Sequence, residues 1–287
     1  MHDGQRKRGL PRLSPRDAVF ASVFINKVYT TVSARRSMRD LREARERGYL
    51  SKLPCHNSVL NALEGPDLTP ILRSLITESS RPLSAVEVDF AADSSGFTTS
   101  RFHRWYDHKY GVERQEQDWV KVHLMCGVKT NVVTVIEIAE RNAADTKQLP
   151  ALVATTAENF AMAEVSADKG YASASNIETV KGVGTEPFIA FRTSDTGWTG
   201  GAWAKALGYV LYRREEFLAH YHKRPNVEST FSMIKRKCGD FVRSKTDTAM
   251  VNEAMCKVLA HNLVVLIHEM YELGIEPVFW PEELAVS

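Results

Sequence analysis

Along residues 15–78, basic and apolar positions alternate with few glycines or prolines between them, the spacing expected of several amphipathic helices. Ser14-Pro15 reads as an N-cap followed by proline at the first helical position, and Thr69-Pro70 repeats the device ahead of "ILRSLI". From Pro82 the pattern shifts. "AVEVDFAAD", "WVKVHLMCGV" and "NVVTVIEIAE" are short Val-rich runs separated by turn residues such as Gly127 and Asn131, and they predict three successive strands. A helical stretch at about 144–160 follows, then "AEVSADKGY" as a strand running into a loop at Gly170, a helix near 173–182, and a further strand in "PFIAFR". The Gly- and Trp-rich "TSDTGWTGGAW" interrupts before long C-terminal helices at about 203–236 and 247–273. The expected fold is α/β: a mixed sheet flanked by helices, its first three strands an antiparallel meander, with a helical N-terminal region.

Composition adds little to this picture, but the distribution of charge changes it. With 287 residues and 44% hydrophobic content, the chain can bury a large core, which excludes a disordered polypeptide. Net charge is only +2, yet residues 1–52 hold thirteen Lys/Arg against five Asp/Glu, and residues 221–245 hold seven against two. Such basic patches suit a phosphate-bearing partner. The four cysteines, Cys55, Cys126, Cys238 and Cys256, lack the close spacing of zinc or redox motifs and are expected to be free thiols in a reducing compartment. No signal-type apolar segment follows the basic N-terminus, and no run reaches the roughly 18 apolar residues of a membrane span. The expectation is a soluble, cytoplasmic protein.

Three carboxylates are candidates for chemistry. Asp93 is expected to end the first strand, in "DFAADSSGF", and Asp168 follows the fourth, in "SADKGY"; small residues after each would let the chain turn and a ligand approach. Glu228 is the third, isolated among the cations of "YHKRPNVESTFSMIKRK". Taken singly, either Asp reads more simply as a turn or cap residue, and Glu228 as a first-turn carboxylate behind Pro225. Brought together they would repel one another unless a divalent cation neutralised them, and all-oxygen ligation points to magnesium or manganese. Glu228 and Lys235 are separated by nearly two helical turns and share a face, which Tyr221 and Arg224 approach from the segment before the proline.

In this order, strand–Asp93, strand–Asp168 and helix–Glu228, the chain resembles the RNase H-like catalytic domain of DDE transposases from bacterial insertion sequences. Tyr221, Arg224, Glu228 and Lys235 match the Y-R-E-K signature of one large group of them. "DSSGF", "DKGY", residues 119–153 and residues 250–270 are also similar to that group, whereas Pro225 stands where serine is commoner. The resemblance implies a catalytic domain over 81–287 with a short insertion near 193–208, and a basic DNA-binding region over 1–80 for which Met1 is a late start or a truncation. It implies that Asp93, Asp168 and Glu228 are catalytic and hold two Mg2+ (or Mn2+) ions. Arg224 and Lys235 would grip DNA phosphates, and Tyr221 would lie near the terminal nucleotide. The implied activity is cleavage at transposon ends and strand transfer into double-stranded target DNA by a homodimer. A nuclease without strand transfer and an inactive DNA-binding derivative are the rival readings.

Two details stay open at this level. Trp198 and Trp203 either stack a flipped base or belong to a local core, and the basic-aromatic loop around His103, Trp105, Tyr106 and His108 either touches DNA or forms a hairpin tip. Asp89 shares a strand face with Asp93 but lies roughly 13 Å away, at about 3.3 Å per residue. Asp93, which matches the family motif, is therefore the expected ligand, and Asp89 a structural partner.

Overall fold

The computed structural model describes residues 13–28, 37–99, 119–140 and 142–277. Four helices lead: α1 (Pro15–Val28), α2 (Met38–Glu46), α3 (His56–Leu63) and α4 (Leu68–Ser80). The Ser14 cap forms as expected, its Oγ accepting from Asp17 N at 3.1 Å. Thr69 does something else. Helix α4 starts before it, at Leu68, and the Thr69 hydroxyl donates to Asn252 Oδ1 at 2.8 Å. Asn252 is fully buried and already donates to Leu63 O, so its acceptor also requires a partner, and that tertiary need overrides the local cap.

Six strands form one sheet: β1 (Asp89–Thr99), β2 (Trp119–Gly127), β3 (Val133–Ala139), β4 (Glu164–Ala167), β5 (Glu186–Ile189) and the short β6 (Phe241–Val242). The order is β3-β2-β1-β4-β5, with β6 pairing the far end of β1. β1 to β3 are the expected antiparallel meander, and β4 and β5 join in parallel, so the mixed sheet and RNase H-like α/β class hold.

Strand β1 departs from expectation. It begins at Asp89, and instead of ending at Asp93 it runs on to Thr99 without turning at Ser94-Ser95-Gly96. Those three residues pair with His123, Val122 and Lys121 across the ladder to β2. Gly96 serves close approach here: a β-carbon would lie 3.1 Å from Trp119 Cγ on the neighbouring strand.

The remaining helices are α5 (Leu149–Ala157), α6 (Ala174–Gly182), α7 (Gly201–Tyr212), α8 (Arg214–Tyr221), α9 (Pro225–Cys238) and α10 (Asp247–Glu272). The single helix expected at 203–236 is three. Arg213 leaves helical geometry (φ −130, ψ 48), and Pro225 has no N–H to give and a ring that clashes with the preceding turn, so a new helix starts there. Strand alternation sorts the core into two faces. Ala91, Phe97 and Leu124 pack with Leu72, Ile76, Ile234 and Val258 of α4, α9 and α10, and Val23 of α1 joins them. Phe90, Ala92 and Met125 pack with Leu152, Val153, Ile177 and Val180 of α5 and α6. Helix α10 is long and apolar enough to cross a membrane, but 72% of its apolar window is buried inside the protein, as befits a core helix. All four cysteines are free, three of them buried.

Candidate active site

The parallel register of β1 and β4, strands that run about 4.8 Å apart, pairs Ala92 with Ala167, so the next residues, Asp93 within β1 and Asp168 just past the end of β4, lie side by side. Asp93 Oδ1 accepts from Ser94 N at 2.7 Å. Asp168 caps the short turn at Lys169–Tyr171, its Oδ1 accepting from Lys169 N at 2.6 Å. Glu228 projects from the first turn of α9, which the N-terminal end of the helix dipole favours, and its side chain is 54% exposed.

Arg224 joins two of these. One guanidinium nitrogen lies 3.0 Å from Asp93 Oδ2 and the other 2.5 Å from Glu228 Oε1, so a single largely buried cation bridges the sheet carboxylate and the helix carboxylate. Burial pushes the Asp93 carboxyl above the usual carboxylate range; the charges of Asp168 and Glu228 add to the rise, while Ser94 N–H and Arg224 oppose it. Among the described residues, no three His, Cys, Asp or Glu side chains lie close enough together to hold a metal ion. The donor set is nevertheless of the right chemistry: Asp93 and Glu228 share one cleft, with the Arg224 guanidinium as their present countercharge, and Asp168 follows the strand paired beside Asp93.

Lys235, one side of that cleft, is no solvated surface lysine. Its Nζ donates to Ser95 Oγ at 2.7 Å and lies 5.8 Å from the centre of the Phe97 ring. Burial lowers its pKa, with Asp240 opposing. The cleft has a volume of about 550 Å³ and is lined by Asp93, Ser95, Glu228, Ser232, Lys235 and Asp240, among others; Asp168 lies outside this lining. Tyr221 ends α8 instead of lying in a loop. Its ring stacks on Phe217 at 5.5 Å, with Arg224 Cζ 5.9 Å from its centre.

Lys223 and Arg224, adjacent in sequence, bind the two aspartates of β1. Lys223 Nζ lies 2.8 Å from Asp89 Oδ2 and also binds Glu164, which in turn holds His220 Nδ1 at 2.5 Å. Asp89 is thus engaged in an ion pair away from the cleft. The two tryptophans separate. Trp203 is buried (8% exposed), donates to Thr196 O at 2.7 Å and packs edge-on against Phe191, whereas Trp198 is 93% exposed. His103, Trp105, Tyr106 and His108 lie outside the described residues. Sequence reasoning passed over Lys121, His123 and Asp145, which gather behind the Asp168 turn. The available signal was the alternate pair of polar residues in the otherwise apolar "WVKVHLMCG".

A family model described as "Transposase DDE domain" matches residues 85–263, from just before β1 into α10 and over more than half of the chain. The chain belongs to this family of transposases. A search of curated proteins finds no match. Membership carries transposase function in general, with polynucleotidyl transfer or nuclease chemistry on DNA, and members generally use divalent metal ions.

Proposed function

We propose that this chain is a DNA transposase that cuts at transposon ends and transfers the freed strand to target DNA, with Asp93, Asp168 and Glu228 holding two Mg2+ or Mn2+ ions. The ions supply Lewis acidity to the attacking and leaving oxygens of an in-line phosphoryl transfer. The chain's own residues do the rest. Asp93 lies within β1, Asp168 follows the neighbouring β4 and Glu228 projects from a helix packed on the same sheet, which holds the carboxylates in place before DNA arrives. Arg224 and Lys235 line the approach with positive charge for the backbone phosphates on either side of the scissile bond, and Tyr221 flanks Arg224 near the terminal nucleotide. Residues 1–80 supply further basic surface for DNA, and two chains act together on paired ends in the cytoplasm.

The observation that supports this reading best is the Arg224 guanidinium bridging Asp93 at 3.0 Å and Glu228 at 2.5 Å, with Asp168 brought beside Asp93 by the parallel register of β1 and β4. Nicking of supercoiled plasmid in Mg2+ or Mn2+, and none in EDTA, is the expected behaviour. Asp93→Asn, Asp168→Asn and Glu228→Gln should each lower the rate by about 10³-fold or more while leaving DNA binding nearly intact. Asp89→Asn should keep a measurable rate, because Asp89 serves an ion pair outside the cleft. Cleavage in EDTA, or an active Asp93→Asn beside an inactive but folded Asp89→Asn, would overturn the assignment.

A further inference from the structure

Behind the sheet from Asp93, polar side chains from three segments meet. Strand alternation turns Ser94 and its cross-strand partner His123 toward the α5/α6 face, away from the Asp93 carboxylate. Tyr171, three residues after Asp168, is fully buried on that face; its hydroxyl lies 2.9 Å from His123 Nδ1. Burial, then the charges of Asp145, Asp93 and Asp168, push the Tyr171 phenol far up, and burial brings His123 down to about 4, so both stay neutral near pH 7. Asp145, in the turn before α5, places Oδ1 2.6 Å from Lys121 Nζ and 4.0 Å from His123 Nε2. Its other oxygen presses on Gly170 so closely that a β-carbon there would lie 2.9 Å from it. Asn176 Nδ2 ties the two turns together by donating to Thr146 O at 2.9 Å and to Tyr171 O at 2.7 Å. The chain of contacts ends on Asp168 itself, whose carbonyl accepts from Tyr171 N at 2.9 Å.

We infer that Asp145 and Tyr171 are positioning residues for Asp168: the Lys121–Asp145 pair braces Gly170, the His123–Tyr171 bond anchors the phenol behind β1, and together they fix the turn that aims the Asp168 carboxylate alongside Asp93. The turn needs such support because Asp168 lies just past the last residue of β4, where the ladder no longer holds the backbone. Glycine at 170 leaves room for the Asp145 carboxylate beside the turn, which a β-carbon there would push aside. This inference rests on the reading of Asp168 as a metal ligand.

The test uses the full chain bound to a DNA duplex, with Mn2+ as the probe, its binding followed by electron paramagnetic resonance and its effect on nicking measured in parallel. Asp145→Asn and Tyr171→Phe remove a charge and a hydroxyl with little change of shape. Both should bind Mn2+ about tenfold more weakly or worse, with DNA affinity unchanged, and both should recover nicking at high Mn2+. Asp168→Asn should not recover. Asp145 is partly exposed, so its variant decides the matter if Tyr171→Phe does not fold. Mn2+ binding like that of the unaltered protein in the folded variants, whatever their melting temperatures, reduces the cluster to core support and overturns the inference, while an inactive Asp168→Asn leaves the proposed function standing. An Asp168→Asn protein that binds Mn2+ and cuts normally overturns the reading of Asp168 and this inference with it.

Discussion

Arg224 holds two jobs that compete for one guanidinium. In this structure it neutralises Asp93 and Glu228, yet the proposed function needs it on a DNA phosphate. Arg224→Ala and Lys235→Ala should each weaken DNA binding and lower the slope of log affinity against log salt by about 1, read from gel-shift titrations across salt concentrations. An unchanged slope in both would take them off the DNA. Asp93 supports a second prediction, from linkage. Its folded carboxyl titrates above its unfolded value, so the stability it contributes is present below the unfolded pKa and is lost as pH rises through the folded one. Asp93→Asn should therefore melt higher than the unaltered protein at pH 7, with the gap closing toward about pH 4. A lower melting temperature at pH 7 in calorimetry would mean that the Arg224 bond outweighs burial. At this scale Asp93, Asp168, Glu228, Arg224 and Lys235 could be picked out as candidates by their order and spacing, which resemble a family signature, and not by charge alone. The guanidinium bridge was not, since it joins residues 131 positions apart.

Element boundaries were legible where local chemistry sets them and illegible where neighbours do. The Ser14 cap and the helix start at Pro225 follow from the backbone donors of their own segments. The length of β1 does not. "SSG" reads as a turn until β2 is laid beside it, because the hydrogen bonds that keep it extended come from another strand. The stretch from 193 to 208 illustrates the same limit. Nothing in "TGWTGGAW" says which tryptophan points inward, and only the approach of Phe191 makes Trp203 the core residue. Trp203→Ala should accordingly cost about 3–5 kcal/mol in urea unfolding, while Trp198→Ala stays within about 0.5 kcal/mol. The reverse order would mean that this stretch packs differently from this arrangement.

At the scale of the whole molecule, the α/β class and meander were readable from periodicity, since three Val-rich runs with turn residues between them leave few alternatives. The placement of the N-terminal helices was not. Leu72 and Ile76 of α4 and Val23 of α1 bury themselves in the same core as α9 and α10, and Arg73 reaches β3 to bind Glu137. Deleting residues 1–80 would strip one side of α10, whose inward residues Ala254, Met255 and Val258 would then meet water. The 81–287 fragment should aggregate or bind a hydrophobic dye strongly, whereas the full chain should not. A monomeric fragment with a sharp thermal transition would show that the sheet and α10 fold without help.

The bond from Thr69 to Asn252 spans 183 residues, and the helices at both ends of the described chain lie against each other. A ribosome delivering this polypeptide therefore releases its first helices long before their packing surface exists, and the Arg224 bridge forms only after α9 has emerged. Closing such distant contacts is slow compared with forming local ones. The Arg224 bridge thus comes into being late in synthesis, and a chain cut short before Pro225 carries both aspartates without the helix that brings Glu228 to them.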